Sequence, residues 1–169
     1  GIIRKVGDFM IYLDYSATTP VNELVLESFN KVCRDYIGNP NSLHKLGVDA
    51  KRLMDKATEQ IANLLNVSNE EVIFTSGASE ANNLAIEGVC LKYKDRGKHI
   101  ITTKLEHSSI LATVNYLKQK GFKIDYVKIN EDGLVDLDDL KRLLTKDTVL
   151  VSIGQVNSEI GIIQNVNEI

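Results

Sequence analysis

Three short polar segments hold the residues that could do chemistry, and each follows an apolar run. Thr75-Ser-Gly-Ala-Ser-Glu-Ala-Asn-Asn83 places a glycine and small hydroxyl residues at the start of a helical pattern. The N–H groups at a helix start have no intrahelical acceptor, and the helix dipole favours negative charge there, so the segment suits a phosphate. Gly77 lets a ligand approach the backbone, and the Ser79 hydroxyl adds a donor. By itself the segment also reads as a serine-rich cap, with Ser76 or Ser79 capping and Glu80 in the first turn. It has neither the Gly-Lys-Ser/Thr of a P-loop nor GxGxxG. Lys104-Leu-Glu-His-Ser-Ser109 puts His107 between an apolar run and the next helix, where an imidazole either caps and packs, or stacks on a planar ring and shuttles a proton. Gly154-Gln-Val-Asn-Ser-Glu-Ile-Gly161 follows the most apolar run, and its Asn157 suits either a turn or a ligand. Three polar segments at equivalent places, one of them ready for an anion, point to a phosphorylated planar cofactor.

The elements that must position these segments alternate along the chain. Ile11–Leu13 is a short extended run, Val21–Tyr36 a helix behind Pro20, and His44–Asn66 a long helix. On the latter, Leu46, Ala50, Leu53, Met54, Ala57, Ile61, Leu64 and Leu65 recur on one face. Beyond it the spacing predicts strands at 72–75, 99–103, 122–127 and 148–153, with helices at 79–93, 108–120 and 136–144 between them. Gly121 stands at a plausible helix stop and Asp136 at a helix start, followed by Asp138 and Asp139. The run at 148–153 is apolar enough for a strand buried on both faces. Alternating strands and helices make an α/β sheet, largely parallel, with helices on its faces. Ligands of such sheets sit beyond the carboxyl ends of the strands, where the three polar segments fall.

Composition narrows the function classes. The 169 residues hold 20 Lys and Arg against 23 Asp and Glu, a net charge of −3 with no basic block, which argues against general nucleic-acid binding. The length suits one ordinary domain burying roughly 70% of its unfolded surface. The two cysteines, Cys33 and Cys90, fall in helical patterns with no CxxC or Cys/His cluster, so neither zinc nor a redox motif is supported. They read as free thiols in a reducing cytosol, and a cytoplasmic location is expected. No apolar run approaches the ~20 residues of a membrane span, and the N-terminal residues lack the apolar stretch of a signal peptide. Residues 1–9 precede the first methionine, Met10, and read as an extension outside the domain that occupies 10–169. Residues 165–169 read as a helix beginning, so the domain is expected to be incomplete at its C-terminus.

Five motifs then occur in order: Tyr12-Leu-Asp-Tyr-Ser-Ala-Thr-Thr-Pro20, Gly38-Asn-Pro-Asn-Ser-Leu-His44, Phe74-Thr-Ser-Gly-Ala-Ser-Glu80, Glu106-His107 and Val156-Asn-Ser-Glu-Ile-Gly161. From Met10 to Ile169 the chain resembles the N-terminal part of a cysteine desulfurase of the NifS/IscS type, within the class V aminotransferases, which depend on pyridoxal 5′-phosphate (PLP). The resemblance implies part of the large domain of a fold-type I PLP enzyme. It implies removal of sulfur from L-cysteine, leaving alanine and an enzyme persulfide for iron–sulfur cluster or thiolation pathways. It also implies a homodimer and a sulfur-acceptor protein or scaffold as partners, with no nucleic acid, membrane or metal. By resemblance, Ala78 and Ser79 bind the PLP phosphate, Ser79 standing where the family often has Thr. His107 stacks on the pyridine ring and assists proton transfer, and Asn157 donates to the 3′-oxygen. Asn39 and His44 lie in a motif near the active-site entrance. Ser158 departs from the commoner family residue and leaves Asn157 intact.

The family's Schiff-base lysine, its acidic partner for the pyridine nitrogen and its catalytic cysteine belong to later segments than these five. Lys98, Lys104, Cys33 and Cys90 match none of those positions. The 169 residues alone are therefore expected to be inactive. Two further readings stay open from the resemblance: a non-catalytic protein that pairs with a full-length desulfurase or a separate C-terminal half, and a selenocysteine lyase or other class V enzyme.

Overall fold

The computed structural model describes residues 3–6 and 9–169, with side-chain surroundings from Ile11 onward. The chain divides into two compact units, Gly1–Phe74 and Thr75–Ile169.

In the first unit, β1 (Ile3–Val6) pairs antiparallel with β2 (Phe9–Tyr12), Ile3 opposite Tyr12. The first expected helix is α1 (Glu23–Asp35), which opens two residues later than expected because Asn22 caps it, its side chain accepting from the Leu24 N–H. The long periodic stretch is α2 (Lys45–Leu65). His44 caps its start, Nδ1 accepting from the Gly47 N–H at 3.3 Å. Asn66 ends it in the left-handed region at φ 55°, a conformation asparagine tolerates. The Gly38–His44 motif has a packing reason. A Cβ on Gly38 would lie 2.3 Å from the Leu46 carbonyl oxygen, and one on Gly47 would lie 2.4 Å from that of Ser42. Both glycines let the loop cross the start of α2 at backbone distance.

The second unit is a three-stranded parallel sheet in the order β4-β3-β5, formed by β3 (His99–Thr102), β4 (Lys123–Tyr126) and β5 (Thr148–Ser152). Its helices are α3 (Ala78–Tyr93), α4 (Ser108–Gln119) and α5 (Leu137–Leu143). Gly121, just past α4, adopts φ +89°, and the Asp136 side chain accepts from the N–H groups of Asp138 and Asp139. β3 is buried along its whole length, and its alternation divides the core. Ile100 packs with Ile86, Cys90, Val114, Leu117 and Phe122, which come from α3, α4 and the turn into β4. Ile101 points the other way, to Val127, Val135 and Leu140. At the start of the sheet, the buried His99 ties all three strands. Its Nδ1 is 2.8 Å from Thr148 Oγ1 on β5, and its Nε2 is 3.1 Å from Asp125 Oδ2 on β4.

Three sequence expectations change. Residues 72–75 form no paired strand, and Ile73 and Phe74 are 69% and 60% exposed. They are apolar enough for a strand, but no neighbouring backbone among the described residues pairs with them. The strand buried on both faces is β3, not β5, which is half-buried because only β3 pairs with it. The expected helix start near the end of the chain is one turn, with the Glu168 and Ile169 N–H groups donating to the Asn165 carbonyl.

Candidate active site

The site lies within the second unit, at the carboxyl ends of β3 and β5. The loop after β3 carries Glu106 and His107, and the loop after β5 carries Gly154 and Asn157. Between them opens a cleft of about 290 Å³, lined by residues that include Lys104, Glu106, His107, Ile110, Asn157 and Ile162.

The two loops are tied together twice. Glu106 Oε1 accepts from Thr103 Oγ1 at 2.8 Å, and its carboxylate accepts the Gly154 N–H at 3.0 Å from each oxygen. Gly154 has no side chain to hold this carboxylate away; a Cβ there would lie 3.1 Å from Glu106 Oε2. Asn157 Nδ2 donates to the Leu105 carbonyl at 2.7 Å, while Asn157 Oδ1 accepts from the N–H groups of Glu159 and Ile160. One amide hydrogen of Asn157 remains for a ligand.

His107 is exposed and caps α4, Nδ1 accepting from the Ser109 N–H at 3.2 Å. Nδ1 is the helix cap, the first of the two expected roles, and the rest of the ring borders the cleft. Ala78 and Ser79 form the first turn of α3 behind Gly77, which offers no side-chain cap. Neither residue lines the cleft between the two loops. Their helix joins it one turn later, where Asn82 Nδ2 donates to Ser109 Oγ at 2.9 Å, beside His107. Glu80 folds back on Ser76, taking its N–H and hydroxyl at 2.6 Å each. Those bonds, the hydroxyl first, hold its carboxyl below the usual glutamate range. The negative charge is thus held at Ser76, and the N–H groups of Ala78 and Ser79 have no intrahelical acceptor. A Cβ on Gly77 would meet nothing within 4 Å, so the space before the helix is open.

This donor set fits a phosphorylated ring: bare helix N–H groups with a hydroxyl, an exposed imidazole, and an amide hydrogen. Sequence reading found His107 and Asn157 as strand-end residues. It missed Asn82 and Ser109, and it saw Glu106 only as half of a motif. The adjacency of Glu106 to His107 was the available signal. Among the described residues, no group of three or more His, Cys, Asp or Glu could hold a metal ion, and no helix is long and apolar enough to cross a membrane.

Comparison with known proteins shows what the chain is similar to. The chain is 43% identical over 159 residues to the cysteine desulfurase IscS of Dictyoglomus turgidum, covering 94% of this chain and 40% of that protein. It is 48% identical over 162 residues to the IscS of Buchnera aphidicola, with the same coverage. With the mitochondrial cysteine desulfurase of Candida maltosa the identity is 47% over 164 residues, covering 96% of this chain and 34% of the other. A solved NifS-like protein matches with a TM-score of 0.90 at 43% identity, over 94% of this chain and 43% of that one. An apo cysteine desulfurase from Thermococcus onnurineus matches with a TM-score of 0.84 at 30% identity, over 94% and 40%. The chain spans about 40% of the length of the bacterial relatives named here. The class-V aminotransferase family matches residues 11–169, and the chain belongs to that family.

Proposed function

We propose that the chain is the phosphate-binding and ring-binding part of a PLP-dependent cysteine desulfurase, acting on L-cysteine as a homodimer and passing sulfur to an acceptor protein. One observation carries the reading. The start of α3, His107 and Asn157 lie on three separate segments of one unit, and hydrogen bonds join them through Asn82–Ser109 and Asn157–Leu105. The relatives named above support the choice of reaction.

In this reading the N–H groups of Ala78 and Ser79, with the Ser79 hydroxyl, hold the cofactor phosphate at the positive end of α3. His107 lies against the pyridine ring. The remaining amide hydrogen of Asn157 goes to the ring's 3′-oxygen. PLP, when bound, supplies the electron sink for the chemistry at cysteine. Lys104 lines the cleft but does not match the family's Schiff-base position, and no reacting role is assigned to it. Both cysteines are free, Cys33 exposed and Cys90 buried, which supports a reducing, cytoplasmic setting.

The test compares PLP with pyridoxal, which lacks the phosphate, by isothermal titration of the chain. PLP is expected to bind weakly, on the order of mM, and about tenfold more tightly than pyridoxal. Ser79→Ala should narrow that difference, and Asn157→Ala should weaken both ligands alike. Equal affinity for the two in the unaltered chain would remove the phosphate assignment. Release of alanine from L-cysteine, with the persulfide sulfur freed as sulfide by added dithiothreitol and measured on the protein as the cell produces it, tests the reaction itself.

A further inference from the structure

His107 has two chemically distinct nitrogens, and the structure determines which of them holds the proton. Nδ1 lies 3.2 Å from the Ser109 backbone nitrogen. A backbone N–H can only donate, so Nδ1 is the acceptor and the proton of the neutral ring sits on Nε2. Nδ1 is also 2.8 Å from Ser109 Oγ. Since Nδ1 has no proton to give, the serine hydroxyl donates to it. The serine oxygen keeps its lone pairs, and Asn82 Nδ2 donates to one of them at 2.9 Å. The donors therefore run one way, from Asn82 on α3 to Ser109 on α4 to His107.

The seam between the two helices holds these groups in place. One turn along α4 from Ser109, the buried Thr113 shares its hydroxyl proton between Asn83 Oδ1 and the Ser109 carbonyl, the latter at 2.8 Å. Asn83 Nδ2 donates to the Ser79 carbonyl at 2.7 Å. The first turn of α3 and the first turn of α4 are thus held together by polar side chains at the level of the site. Further along, Ile86, Cys90, Val114 and Leu117 share one apolar cluster.

We propose that Asn82 and Ser109 are positioning residues for His107: together they reinforce the neutral Nε2–H tautomer that the Ser109 N–H selects, so that the imidazole, lying against the bound ring, offers the substrate a hydrogen-bond donor. The functional use rests on the PLP reading, whereas the tautomer assignment rests only on the Ser109 N–H and the two side chains behind it. In the resting protein, Nε2 is then a donor and not a base. A neutral imidazole that turned over to accept at Nε2 would have to give up both hydrogen bonds at Nδ1.

The test needs no cofactor. Long-range 1H–15N correlation of the 15N-labelled full chain near neutral pH reads the tautomer of each histidine, with His107→Gln identifying the His107 signals. The expected result is an unprotonated Nδ1 and a protonated Nε2 for His107. Ser109→Ala removes one donor to Nδ1 and should lower the tautomer ratio about fivefold to tenfold, and Ser109→Thr should restore it. Asn82→Asp carries the sharper prediction. A carboxylate there accepts the Ser109 hydroxyl proton, so the serine turns a lone pair to Nδ1 and the Nδ1–H form grows. A merely structural role for Asn82 does not predict that reversal. His44 and His99 should keep their signals in every variant; His99, in the same unit, reports that the sheet is folded. If Ser109→Ala disturbs His99, the nearly isosteric Asn82→Asp decides. An Nδ1–H ring in the unaltered chain, or a ratio unmoved by both Ser109→Ala and Asn82→Asp, overturns the proposal. Failure of PLP to bind while the tautomer behaves as described would instead remove the cofactor reading and leave the positioning intact.

Discussion

Replacing Glu106 with alanine should loosen the site from beneath. The carboxylate accepts two donors, Thr103 Oγ1 and the Gly154 N–H, and joins the loop holding His107 to the loop holding Asn157. Hydrogen bonds to a charged group contribute about 1.5–3 kcal/mol each. Glu106 is half-buried and Gly154 is exposed, so water replaces part of what is lost, and about 2 kcal/mol in total is the reasonable expectation. Glu106→Gln keeps one acceptor oxygen and should cost about half as much. In urea, a slope of about 2 kcal/mol per M turns 2 kcal/mol into a midpoint about 1 M lower, with the slope unchanged. The bond from Asn157 Nδ2 to the Leu105 carbonyl remains as the second tie between the loops. Losing both ties should cost more than the sum of the single losses, by about 1 kcal/mol in a double-mutant cycle of Glu106→Ala with Asn157→Ala. A Glu106→Ala change within about 0.5 kcal/mol of the parent, together with an additive cycle, would refute the idea that this carboxylate holds the cleft.

Other expectations follow from single features. Asp139 is buried; bonds from the Arg142 guanidinium and the Lys128 N–H hold its carboxyl below the usual aspartate range. Its stabilising contribution is therefore complete above the unfolded value of roughly 3.9 and fades as pH falls through the lower folded value, so Asp139→Asn should flatten the acid side of a urea-midpoint curve. Burial pushes the Cys90 thiol up to about 11, whereas Cys33 is exposed. Iodoacetamide should label Cys33 alone in the folded chain and both thiols after denaturation, and mass spectrometry would show one adduct, then two. Gly38→Ala would drive a Cβ into the Leu46 carbonyl, a backbone clash that should cost about 3 kcal/mol or more in chemical denaturation. An unchanged midpoint would show that the loop can move aside.

How much of this was legible in the sequence depended on how local the cause was. The long helix α2 followed from a repeating apolar face and ended within a residue of the reading, because caps and periodicity are properties of neighbouring residues. The strand expected at 72–75 failed because a strand needs a partner, and apolar character alone does not supply one. The burial of β5 was overestimated for the same reason, since its composition does not reveal that it lies at the edge of the described sheet. At the site, His107 and Asn157 were legible because they follow strands. Asn82 and Ser109 were not, being 27 residues apart and brought together only when α3 and α4 pack on β3.

The three histidines show what separates a structural imidazole from one available for chemistry. His99 is 2% exposed, with Nδ1 facing Thr148 and Nε2 facing Asp125, so neither nitrogen is available to a ligand. His44 and His107 are both exposed helix caps with Nδ1 engaged by a backbone N–H, and on that basis alone they are equivalent. Two features distinguish His107. It borders the cleft that Asn157 also lines, and a serine and an asparagine stand behind its capping nitrogen. A cap needs only the backbone N–H, so the additional donors have no capping purpose. What they add is a firmer hold on the ring tautomer that the backbone N–H already selects, and that matters only if Nε2 has a partner outside the described chain.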